Sequence, residues 1–266
     1  MPELPDVEVL KRYLNSTSLH QKIKDVQVES DMILKEVSPQ KLRRELVDQK
    51  FESTDRHGKF MFVELQNGHW MVLHFGMTGD LKYYKNEEER PEYELVAFKF
   101  ANGYQLDYIM TRKLGEVRVI EDISKFVDER ELGPDVMAED FTFDKFKQIL
   151  SNRRGMIKST LMNQNIMAGI GNVYSDEILF QAGIHPRTTV DQLDEDELKE
   201  IYEERYKVLE TAIDYQAIPD DFPDSYLTPL RGEEDAKCPK CGGEIERVDV
   251  SGRTAYYCPN CQKLKE

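Results

Sequence analysis

A chain of 266 residues with 39% hydrophobic and 33% charged residues has enough apolar material for a core and exceeds the usual single-domain size, so two domains, or one domain and a module, are expected. No apolar run approaches the roughly 20 residues that span a bilayer, and the opening MPELPDVEVL carries acids and no basic n-region, which excludes a signal peptide and a membrane role and points to a cytoplasmic or nucleoid protein. The net charge of −15 argues against nucleic acid for the chain as a whole, but residues 191–235 alone hold 16 acids against 4 bases.

In chain order, residues 3–15 read as a helix with Val7, Leu10 and Leu14 on one face. A strand at Ile23–Val28 and a short helix near Pro39–Val47 follow. From Lys59 the period switches to two. Phe60, Phe62 and Leu65 run into Asn67-Gly68, and Trp70, Val72 and His74 return, a hairpin signal repeated at Tyr93–Phe100, Asn102-Gly103 and Tyr104–Ile109. Leu132-Gly133-Pro134-Asp135 is the expected linker. Beyond it the pattern is helical at Phe143–Leu150, Ile157–Met162, Val173–Ala182 and Leu193–Ile213, with a Pro- and Asp-rich loop from Pro219 to Asp235.

Basic residues gather locally at Arg56/His57/Lys59, Arg112/Lys113/Arg118, Arg153/Arg154/Lys158 and Lys237/Lys240/Arg247/Arg253, compatible with a binding face and an acidic back. Cys238-Pro-Lys-Cys241 and Cys258-Pro-Asn-Cys261 form two CxxC knuckles separated by sixteen residues that alternate like a small hairpin. In a reducing compartment this spacing presents four thiolates to one tetrahedral ion. Cys238, Cys241, Cys258 and Cys261 are therefore expected to hold one structural Zn2+, with no open position for catalysis. The glycine-rich Ala168-Gly169-Ile170-Gly171-Asn172 reads either as a tight helix connection or as a turn whose backbone approaches a phosphate.

Met1-Pro2-Glu3-Leu4-Pro5 at the start, Lys59 at the first hairpin, AGIGNVYSDEILFQAGIHP and a terminal four-cysteine ribbon together resemble the formamidopyrimidine-DNA glycosylase/endonuclease VIII family, over nearly the whole chain. Leu4-Pro5 is closer to the formamidopyrimidine branch. The resemblance implies an α+β multidomain fold. Its parts are an N-terminal helix plus β-sandwich (1–133), a helical domain with a helix–two-turns–helix motif and the acidic loop (134–235), and a zinc ribbon (236–266). It further implies a bifunctional glycosylase and abasic-site lyase of base excision repair, binding damaged double-stranded DNA in the cleft between domains. A monomer is the default.

In that reading Pro2 is the nucleophile, Glu3 an acid/base toward the sugar ring oxygen, and Lys59 a positive charge near the scissile sugar. Met77, Arg112 and Leu114 match the residues that fill the space left by a flipped nucleotide, and Lys158, Asn172 and Arg253 match phosphate-gripping positions. The chemistry has its own logic. An α-amino group titrates near roughly 7.7–8.0 and a lysine near roughly 10.4, so the amine of Pro2, once Met1 is removed, is the better-prepared nucleophile at neutral pH. Taken alone, Glu3 is a first-turn acid suited to a helix dipole and Lys59 a strand-edge lysine.

The pattern departs from the family at Asp6, where Glu is usual, and at 214–237, which lacks the glycine-rich loop that closes over 8-oxoguanine and the Tyr-Gly-Arg run before the ribbon. Leu114 stands where members that excise oxidised purines usually carry Phe. These departures point to an altered or broad lesion set. The competing readings are an abasic-site lyase or damage-binding protein without efficient base excision, and a zinc-ribbon adaptor that docks a protein partner through its acidic surface.

Overall fold

The apolar spacing near the N-terminus builds helix α1 (Leu4–Thr17), which buries Leu4, Val7 and Leu14 and opens with Pro5 in its first turn, where a missing N–H costs nothing. In the computed structural model, which describes residues 1–265, contacts divide the chain into Met1–Glu131 and a second unit beginning at Leu132.

The first unit adds β1 (Ile23–Val28), α2 (Pro39–Leu46), β2 (Phe51–His57), β3 (Phe60–Leu65), β4 (Trp70–His74), β5 (Gly79–Tyr84), β6 (Glu94–Phe100), β7 (Gln105–Met110), β8 (Glu116–Ile120) and α3 (Ile123–Glu129). Two antiparallel four-stranded sheets result, in the orders β1-β6-β7-β5 and β2-β3-β4-β8. Their inner faces share one core, in which Phe51 meets Phe98 and Phe100 edge-on at 5.7 and 6.0 Å. Both Asn-Gly turns close the hairpins expected of them, β3–β4 and β6–β7. Strands β2, β5 and β8 complete the sheets without such a signal. β2, with the sequence FESTDRH, buries only Phe51 and so shows no apolar alternation.

The second unit contains α4 (Phe143–Leu150), α5 (Ile157–Met162), α6 (Asn172–Gln181), α7 (Glu195–Asp214), β9 (Glu246–Val250) and β10 (Arg253–Tyr257). Helices α5 and α6 are joined by two turns that Gln164 braces. Its amide donates to Met162 O and Ile170 O at 2.7 and 2.8 Å and accepts from Gly169 N at 3.0 Å. The expected linker is not free. Gly133 N donates to Gln164 O at 2.8 Å, and a Cβ on Gly133 would lie 2.6 Å from Met167 N, so only glycine fits. Helix α7 opens with a capping box between Asp194 and Glu197, and Glu195, Asp196 and Glu197 complement the positive end of its dipole. Its acids thus ride on a helix whose other side buries Ile201, Val208, Leu209 and Ala212. Among the described residues no helix is long and apolar enough to cross a membrane.

Candidate active site

Helix α1 runs along β2. Asn15 Oδ1 accepts from Thr54 at 2.6 Å and Glu8 from Arg56 Nε at 3.3 Å, so moving toward the helix N-terminus moves toward the β2–β3 turn. That register points the start of α1 toward Gly58-Lys59, the two-residue turn between the paired His57 and Phe60. Gly58 has φ +56, the left-handed value that such a turn requires. Pro2 is half-buried, Glu3 is 1% exposed and Lys59 is 7% exposed. Asp6 Oδ2 accepts the Glu3 N–H at 2.9 Å and the Glu3 carboxylate reciprocates on the Asp6 N–H. The shorter Asp6 side chain is thus absorbed by its own helix cap. Burial, reinforced by the Glu3 charge and opposed by the Glu3 N–H bond, lifts Asp6 to about 6.

One strand further on, His74 pairs with Phe60, and the two rings pack tilted by 36° with centroids 4.7 Å apart. Burial outweighs the Glu116 carboxylate beside it, and Lys59 and Arg130 add to the effect, so His74 is held down at about 4 and is neutral at pH 7. Its Nδ1 accepts the Gly76 N–H at 3.4 Å, which leaves the ring proton on Nε2. Glu116 takes Arg130 through both oxygens, at 2.7 and 2.6 Å, and also pairs with Arg118. In sequence His74 looks like any strand residue, and nothing marks Glu116 or Arg130 as its neighbours. Position His74 directly before Phe75-Gly76-Met77 was the available signal.

The loops after β4 and β7 bring the three expected space-filling residues together. Thr111 Oγ1 donates to Thr78 Oγ1 at 2.9 Å, Arg112 N to the same oxygen at 3.3 Å, and Arg112 Nη1 lies 3.3 Å from the Met77 sulfur. Met77 is 39% and Leu114 57% exposed, well beyond what a core role would give. The approach depends on glycine. A Cβ on Gly76 would meet Leu114 C at 2.7 Å, and one on Gly115 would meet His74 O at 2.6 Å.

In the second unit Asn172 opens α6, half-buried, with no acid in the first helical turn and Gly171 before it. The positive end of the helix dipole suits an anion there. Lys158, expected among the phosphate-gripping positions, lies beneath the start of α6. Lys158 is fully buried, and its ammonium donates to Asn172 O at 3.0 Å, Ser175 Oγ at 2.7 Å and Asp176 Oδ1 at 2.7 Å. It braces the start of α6 from beneath. Arg231 holds the other Asp176 oxygen at 2.8 Å, under the Tyr256 ring. Burial pushes Asp176 up while Lys158 and Arg231 pull it down. The segment that replaces the family's lid is pinned as well. Glu177 Oε2 accepts both the Thr228 N–H and hydroxyl at 2.7 Å, and Phe222 and Leu227 are buried. Arg253 is exposed at the start of β10, beside the Ser251-Gly252 turn.

Residues 1–117 match the formamidopyrimidine-DNA glycosylase N-terminal domain, 132–221 its H2TH domain, and 236–264 the zinc finger found in FPG and IleRS. The formamidopyrimidine-DNA glycosylase of Mycoplasma genitalium is 33% identical over 276 residues, covering 99% of this chain and 96% of the relative. The chain belongs to the formamidopyrimidine-DNA glycosylase family. The Bacillus subtilis member is 31% identical and covers all of both chains. A crystal structure of the Lactococcus lactis glycosylase bound non-covalently to DNA containing an abasic site superposes with a TM-score of 0.89 at 28% identity, over 98% of this chain and 100% of that one.

Family membership includes the ribbon, and the geometry fits its metal. The four sulfurs lie within 4.8 Å of one another, with Cys238–Cys261 at 3.8 Å and Cys241–Cys258 at 3.5 Å. A tetrahedral ion with Zn–S near 2.3 Å needs sulfurs about 3.8 Å apart. One structural zinc is therefore held by Cys238, Cys241, Cys258 and Cys261.

Proposed function

We propose that this glycosylase excises oxidised or ring-opened bases and then cleaves the strand through a Schiff base on Pro2. The observation that supports the proposal is the register of α1 on β2, which points the helix start, with Pro2 and the buried Glu3, toward the Lys59 turn. Removal of Met1 frees a secondary amine. Its lone pair attacks C1′ of the flipped nucleotide, the glycosidic bond breaks, and the base leaves with the bonding electrons and a proton. Opening of the sugar, with Glu3 protonating the ring oxygen, gives a cationic iminium. That cation acidifies the C2′ proton, so the 3′ phosphate and then the 5′ phosphate leave by β- and δ-elimination. Lys59 supplies positive charge as the phosphates depart. Met77, Arg112 and Leu114 occupy the vacated stack, while Asn172 and Arg253 hold backbone phosphates. Such work places the protein at the nucleoid.

Borohydride reduction with an abasic-site duplex tests this directly. A covalent adduct mapping to Pro2 is expected, and blocking the amine by retaining Met1 should abolish it. An adduct on a lysine would overturn the assignment, and an adduct without base release from any lesion would favour a lyase-only protein.

The pinned loop at 219–235 bears on the lesion. A segment tied to α6 through Glu177 and Asp176 does not act as a free lid, which supports a tolerant pocket. On a lesion panel, ring-opened purines, hydantoins or oxidised pyrimidines should be removed faster than 8-oxoguanine opposite cytosine. Single-turnover rates with 8-oxoguanine at the top of the panel would sink the idea.

A further inference from the structure

Strands β5 and β7 pair from Gly79↔Met110 at one end to Tyr84↔Gln105 at the other. The loops bearing Met77 and Arg112 leave from the first end. At the second, some five residues or about 17 Å along the strands, lies an open concavity of about 230 Å³. Lys24, Lys85 and Lys99 line it, from β1, the end of β5 and β6, and no acid does. Among the described residues none of these three lysines makes an ion pair. Asp25, the acid next to Lys24, is engaged by Arg43. Tyr104 forms a flat wall, stacked on Tyr83 at 4.8 Å with planes 3° apart, and the Lys85 ammonium sits 5.3 Å over its ring.

In a chain of net charge −15, three lysines gathered in one hollow make a local reversal of the field. The other polar groups of the hollow are already satisfied. The Gln105 amide donates to Tyr84 Oη and to Asp107 at 2.7 Å, and Tyr84 donates to Asp107 at 2.8 Å. The hollow therefore offers charge without a directed pattern that would select one small molecule. Lysines are mobile point charges and suit phosphates of varied geometry.

We propose that this concavity is a second, weak contact for the phosphate backbone of DNA, remote from Pro2, which holds another duplex segment while the first occupies the active site. The proposal rests on the DNA-repair reading above. Two sites per molecule would let the enzyme pass between segments during its search for damage.

The test titrates the full-length protein and the triple variant K24Q/K85Q/K99Q with a short undamaged duplex over a range of salt. The unmodified protein should bind two duplexes. The weaker event should have a log–log salt slope of about 0.9 per phosphate contacted, so between 2 and 3 for three lysines. In the variant that event should weaken at least tenfold, while single-turnover cleavage of a short abasic duplex stays unchanged. A single binding event in the unmodified protein, or an unchanged second event in the variant, would overturn the proposal. So would competition by pyrophosphate at equal phosphate concentration, which would mark a small-anion site. This titration needs no Schiff base, so its failure is distinguishable from failure of the Pro2 assignment.

Discussion

His74 and Lys158 show how depth rewrites the meaning of a basic residue. A histidine held at about 4 contributes stability that is full above its unfolded value of 6.5 and is lost as pH falls from 6.5 toward 4. Asp6 and Asp107, both raised to about 6 chiefly by burial, act with the opposite sign. Their contribution is full below about 3.8 and declines as pH rises through 6. The two trends partly offset between pH 4 and 6. D6N retains an acceptor for the Glu3 N–H but removes one of the offsetting groups. Its urea midpoint should therefore fall more steeply than that of the unmodified protein on acidification from pH 6.5 to 4, with the His74 ring resonances showing no titration above pH 5. Parallel midpoint curves would contradict the buried position of Asp6. Pro2, Glu3 and Lys59 stand out in the sequence because they combine a family motif with a reason in amine chemistry. His74 does not, since one histidine in an alternating strand looks like any other strand residue. At Lys158 sequence reveals a cation but not the Asp176 and Ser175 that enclose it.

At the level of elements, the loops after β4 and β7 are the parts that must meet closely. Gly76, Gly79 and Gly115 let them do so, each leaving no room for a Cβ. G115A should push the Arg112–Leu114 loop off His74. Misplacement of about 1 Å costs on the order of 100-fold in rate, so single-turnover base excision should fall by about that much while zinc content and far-ultraviolet circular dichroism hold. A rate within threefold of the unmodified enzyme would show that the loops do not need this approach. The two hairpins with Asn-Gly turns could be read from sequence because turn chemistry and alternation agree there. β2, β5 and β8 could not. β5 joins β7 and not its chain neighbour β6, a long-range pairing that no local signal encodes. β2 lies under the polar side of α1, where Arg56 and Thr54 answer Glu8 and Asn15, so its residues are polar for a structural reason.

For the whole molecule, the uneven charge is the property that sequence conveyed best. The acids of 191–235 lie largely on the outer side of α7 and on the pinned loop that follows, away from the buried Ile201–Ile213 stripe. The zinc ribbon has a stronger structural role than its size suggests. Lys240 donates to Phe180 O and Gln181 O at 3.2 and 3.1 Å, at the C-terminal end of α6, and Tyr256 N donates to Asp176 at 3.2 Å nearer its start. Chelation should release one zinc per chain, weaken abasic-site DNA binding by more than tenfold, and loosen α6 while leaving the β-sandwich intact. Amide exchange monitored by mass spectrometry checks this: protection unchanged throughout 172–181 after zinc loss would disprove the coupling.

That pair of clasps on α6 also limits how the protein can be recombined. A ribbon transplanted from a relative would bring its own metal-binding fold, yet it would seat correctly only with a lysine at the Lys240 position and a backbone matching Tyr256. In this chain the terminal module is less a cassette to be exchanged than a splint set along α6.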